Sequence, residues 1–247
     1  MTTSGPNFIG INVSGNHVRA ALVDNDGHVL QRRATEISPE TIVTQLAELA
    51  AQLRSAGDPV AALGVAIPGL VNRQTDRVVS ARDLPPPLFE DLHAELTRAT
   101  GLRVEIENDA NAEAYGEYKA GAGVGSRNLF YMMIGNGIGG AIILDGKLWT
   151  GASGFAGEVG HITIDTEGLE CVCGNTGCLE TVASAPSIVR RARERLHRDS
   201  TSSLSRLGLN KNFTADDVAH AANEGDDFAL MMIERTGKYI GTGVATV

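Results

Sequence analysis

Phe8–Val13 is a short apolar run and His17–Asp24 a second, with Ser14-Gly15-Asn16 between them, so the chain opens on two strands joined by turn residues. Asp26-Gly27 turns it again, into a third strand near Val29. Ser38-Pro39-Glu40 then predicts a helix start, with Ser at the N-cap, Pro in the first position and a carboxylate near the positive end of the dipole. Ile42, Val43, Leu46, Leu49, Ala50 and Leu53 fall on one helical face, and Gly57 ends the helix. Val60–Ile67 has the length and character of a buried strand stopped by Pro68-Gly69. Leu88–Thr100 reads as a helix ended by Gly101, Val104–Glu107 as a strand, and Asp109–Lys119 as a helix opened by Asn108-Asp109. The first half is therefore β-β-β-α-β-α-β-α, a mixed α/β pattern.

The opening pattern then returns. Ile134–Asp145 aligns with Val13–Asp24 at a constant offset, and an Asp-Gly turn follows each copy, at Asp26-Gly27 and Asp145-Gly146. A repeated Gly-rich hairpin implies two related halves. Farther on, Leu179–Arg195 reads as a helix with Pro186 at a kink or boundary, and the polar stretch Ser200–Asn212 as loop. Thr214-Ala215-Asp216-Asp217 has the form of a capping box with Asp in the Glu place, and Asp226–Ile240 is a further helix. Gly241-Thr242-Gly243-Val244 still reads as ordered core where the chain stops, which leads us to expect an incomplete C-terminus.

Composition narrows the classes. The chain has 247 residues, 43% of them apolar, with 29 glycines and few aromatics, a balance that suits α/β architecture with tight turns. A net charge of −9 gives no general attraction to nucleic acid or anionic membrane. No apolar run approaches the roughly 20 residues that span a bilayer, and Met1–Pro6 lacks the basic and apolar regions of a signal peptide, so a cytoplasmic protein is expected. All three cysteines, Cys171, Cys173 and Cys178, lie in one short stretch. With His161 upstream they make a three-sulfur, one-nitrogen set suited to tetrahedral Zn²⁺ with no open position, hence a structural metal. Gly174 and Gly177 let the short loop turn its sulfurs inward. Asn108, Asp109, Glu158, His161 and Glu180 carry amide, carboxylate and imidazole groups able to distinguish sugar hydroxyls; Asn108-Asp109 is equally an ordinary helix cap, and Glu180 an ordinary first-turn acid.

Gly157-Glu158-Val159-Gly160-His161, followed by Cys171-Val172-Cys173-Gly174-Asn175-Thr176-Gly177-Cys178-Leu179-Glu180, resembles the signature of the ROK family of repressors, open reading frames and sugar kinases. The similarity extends to Glu107-Asn108-Asp109-Ala110-Asn111, to Gly64–Gly69 and to Thr181–Ser184, and so covers most of the chain. The resemblance implies a two-lobed actin-like ATPase (ribonuclease H-like) fold with a structural zinc loop, divided here into lobes 1–107 and 108–247. It implies that Asn108, Asp109, Glu158, His161 and Glu180 bind a sugar, with Asp109 as the general base that would take the proton of the 6-hydroxyl as it attacks the γ-phosphate of ATP. It implies that one His161 nitrogen binds zinc and the other meets the sugar.

In family kinases two Gly-rich hairpins cradle the phosphates, the first reading Asp-x-Gly-Gly-Thr-Lys. Here it reads Asn12-Val13-Ser14-Gly15-Asn16-His17, and the carboxylate expected to help place hydrated Mg²⁺ is gone. The second, Gly135-Asn136-Gly137-Ile138-Gly139-Gly140, is nearer the pattern. Asp83 stands where kinases of the family often carry Asn. A kept sugar half beside an eroded phosphate half resembles the repressor branch. The expectation is a hexose- or amino-sugar-binding domain that senses sugar for a transcription regulator, with weak or no kinase activity; the alternative is an ATP-dependent hexose kinase. Zinc is the expected cofactor, with ATP and Mg²⁺ only if transfer occurs. The expected partner is a small sugar, not nucleic acid or membrane, and oligomerisation is common in the family.

Overall fold

The computed structural model describes residues 5–54, 59–81, 91–196, 201–206 and 213–247. The chain forms two compact units, Met1–Tyr131 with Ala141–Gly157, and Met132–Gly140 with Glu158–Val247. The units thus divide the chain at other places than the 107/108 boundary drawn from the sequence.

In the first unit β1 (Asn7–Ser14), β2 (His17–Val23) and β3 (Val29–Glu36) form the expected antiparallel meander. Gly15, at φ 57°, serves the two-residue turn between Ser14 and His17. Asp24 Oδ1 accepts the backbone N–H groups of Asp26 (2.9 Å) and His28 (2.8 Å), which closes the next turn. A short 3-10 turn at Pro39–Thr41 leads into α1 (Ile42–Arg54). Ser38 is the N-cap of that turn and Pro39 follows it, as expected, although the Ser38 side chain makes no cap hydrogen bond. Next come β4 (Val60–Ile67), β5 (Gly69–Asn72), β6 (Arg77–Ala81), α2 (Leu92–Thr100) and β7 (Arg103–Asn108). β4 ends at Ile67, as expected, and Pro68 is a bend; Gly69 then begins a hairpin of a second sheet, in which it pairs with Ala81, and a Cβ there would run into the Ser80 backbone. Gly57, Asp83 and the first residues of Leu88–Thr100 lie outside the described residues. Gly101 ends α2 in the left-handed region at φ 66°.

The sheet order is β3-β2-β1-β4-β7, with β4 parallel to both β1 and β7. One face is the core: Ile9, Ile11 and Val13, Val18 and Leu22, and Leu63, Val65 and Ile67 are buried with Leu46 and Leu53 of α1 and Leu96 of α2. Each such side chain contributes about 1.5–3 kcal/mol relative to exposure. Parallel register brings Asn12 level with Ala66, and Ile67 level with Asn108. The carboxyl ends of β1, β4 and β7 therefore fall together, the end of an α/β sheet at which ligands bind. From β7 the chain enters α3 (Asp109–Ala120) without a loop.

β8 (Leu129–Ile134), β9 (Ile138–Leu144) and β10 (Lys147–Leu148) make a separate sheet of order β10-β9-β8, and the chain passes from one unit to the other within β8 and within β9. The second unit holds α4 (Glu180–Ala183), α5 (Ala185–Leu196), α6 (Ser203–Arg206), α7 (Ala215–Asn223) and α8 (Asp227–Thr246). The helical stretch expected over Leu179–Arg195 has its boundary at extended Ser184, with Pro186 in the first turn of α5. Part of the expected loop Ser200–Asn212 is α6, because Asp226 Oδ2 accepts Ser203 N and both serine hydroxyls of Ser202 and Ser203; Thr201 and Ser202 are non-helical as expected, and 200 and 207–212 lie outside the described residues. The Thr214–Asp217 capping box is present. Gly241–Val244 belong to the last turns of α8, where Gly243 is buried and Val244 exposed. Among the described residues no helix is long and apolar enough to cross a membrane.

Asp226 joins α6 to the N-terminus of α8. Burial by itself pushes its carboxyl up, but hydrogen bonds from Ser203, Ala229 and Ser202 outweigh this and bring it down to about 2. Its folded-state value lies below the ordinary one of about 3.9. The stability it contributes is therefore complete above about pH 4 and is lost as pH falls toward 2. Asp226→Ala is expected to cost about 1 kcal/mol at neutral pH and to flatten this acid limb, as read by melting temperature against pH.

Candidate functional site

At the end of β7 the backbone polar groups are claimed by side chains. Asn108 caps α3, its Oδ1 accepting Asn111 N (3.0 Å), while its Nδ2 donates to Gly69 O (2.9 Å) and Asp109 Oδ1 (3.2 Å). Asp109 is buried at the positive end of α3, and its Oδ1 also accepts Ala110 N (3.0 Å). Glu107 braces the same turn: Oε1 accepts Asn108 N (2.9 Å) and Asn111 Nδ2 (3.1 Å), and Oε2 meets Arg73 Nη1 at 3.0 Å. Asp109 is thus a dry carboxylate held by its neighbours, suited to take a hydrogen bond or a proton from a hydroxyl.

Next to it stands the first Gly-rich loop. Asn12 Nδ2 donates to Glu113 Oε1 at 3.3 Å, and Tyr131 Oη donates to Glu113 Oε2 at 2.8 Å. Burial first, then Glu113, pushes the Tyr131 phenol up to about 12, so it remains a donor. Asn12 Oδ1 is buried without a hydrogen-bond partner. Sequence reading did not single out Glu113 or Tyr131. Glu113 follows Asp109 by one helical turn, the spacing that could have marked it. A cavity of about 810 Å³ opens on the other face of the five-stranded sheet, lined by Gly10, Asn12, Arg19, Ala66, Glu107 and Glu113 among others. Asn12 turns its N–H toward Glu113 and keeps its oxygen buried, so this side chain offers no oxygen to a hydrated Mg²⁺.

In the second unit the other loop is closed on itself, Gly135 N donating to Gly137 O (2.9 Å) and Gly135 O accepting Ala185 N (2.9 Å). Glu180 is buried, and its Oε2 accepts Ile138 N at 2.7 Å, so this expected sugar ligand also anchors the loop that carries Gly135, Gly137 and Gly139. Glu158 precedes a 3-10 turn over Val159–His161 and accepts His161 N through its carbonyl (3.0 Å). Gly160 packs where a Cβ would strike Ile138 O. Of the expected sugar residues, Asn108 and Asp109 lie in the first unit, and Glu158, His161 and Glu180 in the second.

Backbone pairing shapes the cysteine loop. Short bridges pair Thr163 with Cys178 and Glu170 with Thr176, and Cys171 N donates to Asn175 O (2.8 Å). Gly177 sits at φ 71°, against Asp165 O, where no side chain fits. A ring nitrogen of His161 and the sulfurs of Cys171, Cys173 and Cys178 all lie within 4.8 Å of one another. Cys171 Sγ is 3.5 Å from His161 Nδ1, and Cys173 Sγ is 3.7 Å from Cys178 Sγ. Bonds of about 2.3 Å to sulfur and 2.0–2.1 Å to nitrogen give tetrahedral edges of about 3.8 and 3.6 Å, so these atoms fit one four-coordinate zinc. Burial, then the neighbouring thiols, pushes Cys178 up to about 12, while a backbone hydrogen bond from Asn175 draws Cys173 down.

The ROK family model matches residues 8–247. The chain is 35% identical over 246 residues to a glucokinase of Streptomyces coelicolor, covering 96% of this chain and 76% of that one. It is 28% identical to the xylose repressor of Bacillus subtilis, covering 97% of this chain and 60% of the repressor. Among solved structures, a ROK family glucokinase from Streptomyces griseus in complex with glucose and AMPPNP is similar with a TM-score of 0.83 and 33% identity, over 97% of this chain and 78% of that one. A ROK family transcriptional regulator, a homologue of the E. coli MLC protein, also has a TM-score of 0.83, with 31% identity over 98% of this chain and 62% of that one.

Proposed function

The chain belongs to the ROK family, and on that premise we propose that it binds a hexose or amino sugar as the sensing domain of a regulator, with weak or no phosphate transfer. Asn108, Asp109, Glu158, His161 and Glu180 meet the sugar hydroxyls. Zinc, held by His161, Cys171, Cys173 and Cys178, is structural. It fixes the imidazole through Nδ1, and Nε2, on the opposite side of the ring, serves the sugar. Four soft or borderline donors at tetrahedral spacing support this choice of metal.

One observation carries the sensing reading: Asn12, where a kinase loop has a carboxylate, presents N–H to Glu113. Sugar binding needs no phosphate site, because a ligand with different affinity for two conformations shifts their populations by binding alone. Asp109 supports the second reading, an ATP-dependent hexose kinase in which this carboxylate is the general base. Calorimetry with glucose, N-acetylglucosamine, mannose and xylose, beside a coupled assay with Mg-ATP, separates them. Binding without turnover is expected. Turnover above about 1 s⁻¹, the low end of ordinary enzymes, replaces the sensing reading by the kinase one. Failure to bind any of these sugars removes both.

A further inference from the structure

Asn12 and Glu113 form a closed arrangement. An amide side chain offers two donors on nitrogen and one acceptor oxygen, and a carboxylate beside it decides which end faces it. Glu113 Oε1 accepts a hydrogen bond from Asn12 Nδ2 at 3.3 Å, and Glu113 is restrained because its other oxygen accepts the Tyr131 hydroxyl at 2.8 Å. The result is an acceptor, Asn12 Oδ1, left buried and unpaired. Such an atom is unfavourable unless a stronger bond holds its group in place. The charge-assisted bond to Glu113 supplies that hold.

We propose that Glu113 is a positioning residue which, anchored by Tyr131, keeps the Asn12 oxygen buried and closes the first loop to a hydrated divalent cation, so that the loss of phosphate chemistry belongs to the Asn12–Glu113 pair and not to Asn12 alone. This rests on the sensing reading above and states what closes that loop. Glu113 is faced by Asn12 of β1 and Tyr131 of β8; Glu117 and Asp109 of its own helix act on the same phenol, and Arg19 of β2 lines the same cavity. Asn12→Asp would therefore set a second carboxylate against Glu113 in a region already rich in acids. Two carboxylates at that spacing do not both stay ionised, and the new side chain gains a proton in place of a charge.

The test uses the full chain as wild type, Asn12→Asp, Glu113→Ala, Glu113→Asp and the Asn12→Asp/Glu113→Ala double variant, with Mn²⁺ as the probe by electron paramagnetic resonance. The side-chain amide signal of Asn12, identified as the one missing from Asn12→Asp, is followed by ¹⁵N NMR. In Glu113→Ala that signal is expected to shift, and in Glu113→Asp to return toward its wild-type position. Asn12→Asp is expected to change Mn²⁺ affinity by less than about threefold and the double variant to raise it by about tenfold or more. The isosteric Glu113→Gln, alone and with Asn12→Asp, gives the same comparison should Glu113→Ala unfold. Asn12→Asp matching the double variant, a double variant no tighter than wild type, or an amide signal unmoved by Glu113→Ala would each overturn the proposal. Glucose titrated into the same samples reports on sugar binding separately. No heat there removes the sensing reading and leaves the Mn²⁺ comparison standing.

Discussion

Cys178→Ser is expected to yield a protein with no bound zinc, a second unit destabilised by about 4 kcal/mol or more, and hexose affinity reduced about 10- to 100-fold. The wild type is expected to hold one equivalent. The size of the effect follows from where Cys178 sits. It is fully buried, it pairs in a short bridge with Thr163, and Leu179, also fully buried, comes next. Without an ion, burial keeps this thiol protonated far above neutral pH. A cation therefore binds by displacing protons, and its affinity becomes folding free energy. Structural zinc contributes about 10–16 kcal/mol in fingers that have no other core. Here the cluster of Ile188, Leu196, Phe228 and Met232 remains, so the loss is smaller and partial. Metal content by atomic emission and calorimetric melting with and without chelator check both parts. A wild type purified without zinc, melting at the same temperature as Cys178→Ser, refutes the assignment.

Asp109→Ala is expected to weaken hexose binding about 10- to 100-fold, the cost of losing a hydrogen bond to a charged group. The α3 helix should survive, because Asn108 and not Asp109 is the residue that caps it. Asp109→Asn keeps an oxygen for Ala110 N and should lose less affinity. If phosphate transfer is detected in the wild type, Asp109→Asn should lower its rate by about 10²–10⁴ through loss of the base. Calorimetric titration of all three proteins measures the first effect and a coupled assay the second. Wild-type affinity in Asp109→Ala excludes this carboxylate from the sugar site.

The legible parts of the fold were those with strong local signals. The meander of β1 to β3, the stripe of α1, the Gly101 stop and the Thr214–Asp217 box all depend on residues close in sequence. Ser38 and Pro39 marked the start correctly, although the Ser38 hydroxyl makes no cap hydrogen bond. Pro68-Gly69 stops β4 as expected, but the sequence did not show that the bare Cα of Gly69 also admits the Ser80 backbone and lets β5 pair with β6. Leu179–Arg195 was read as helical with Pro186 at a kink or boundary, and the boundary is there: Ser184 is extended and Pro186 sits in the first turn of α5.

For the candidate site, the cluster of His161 with the three cysteines was readable from the sequence as a group able to hold a metal, because soft donors close together in a glycine-spaced loop have few other uses, and the four side chains do come together. The identity of Asn12 was equally plain. Its orientation was not. Whether an amide turns nitrogen or oxygen toward a ligand depends on what stands opposite, and here that is Glu113, brought from α3 and held by Tyr131 of β8. Likewise Glu180 could be named as an acid, but its grip on Ile138 N arises only when β9 and α4 meet. Residue types, spacings and turns were thus written in the linear chain, since they act over a few bonds. Which oxygen is buried, which carboxylate is already engaged and which thiol is dry were decided by tertiary contacts, since burial and hydrogen-bond partners come from segments far apart in sequence.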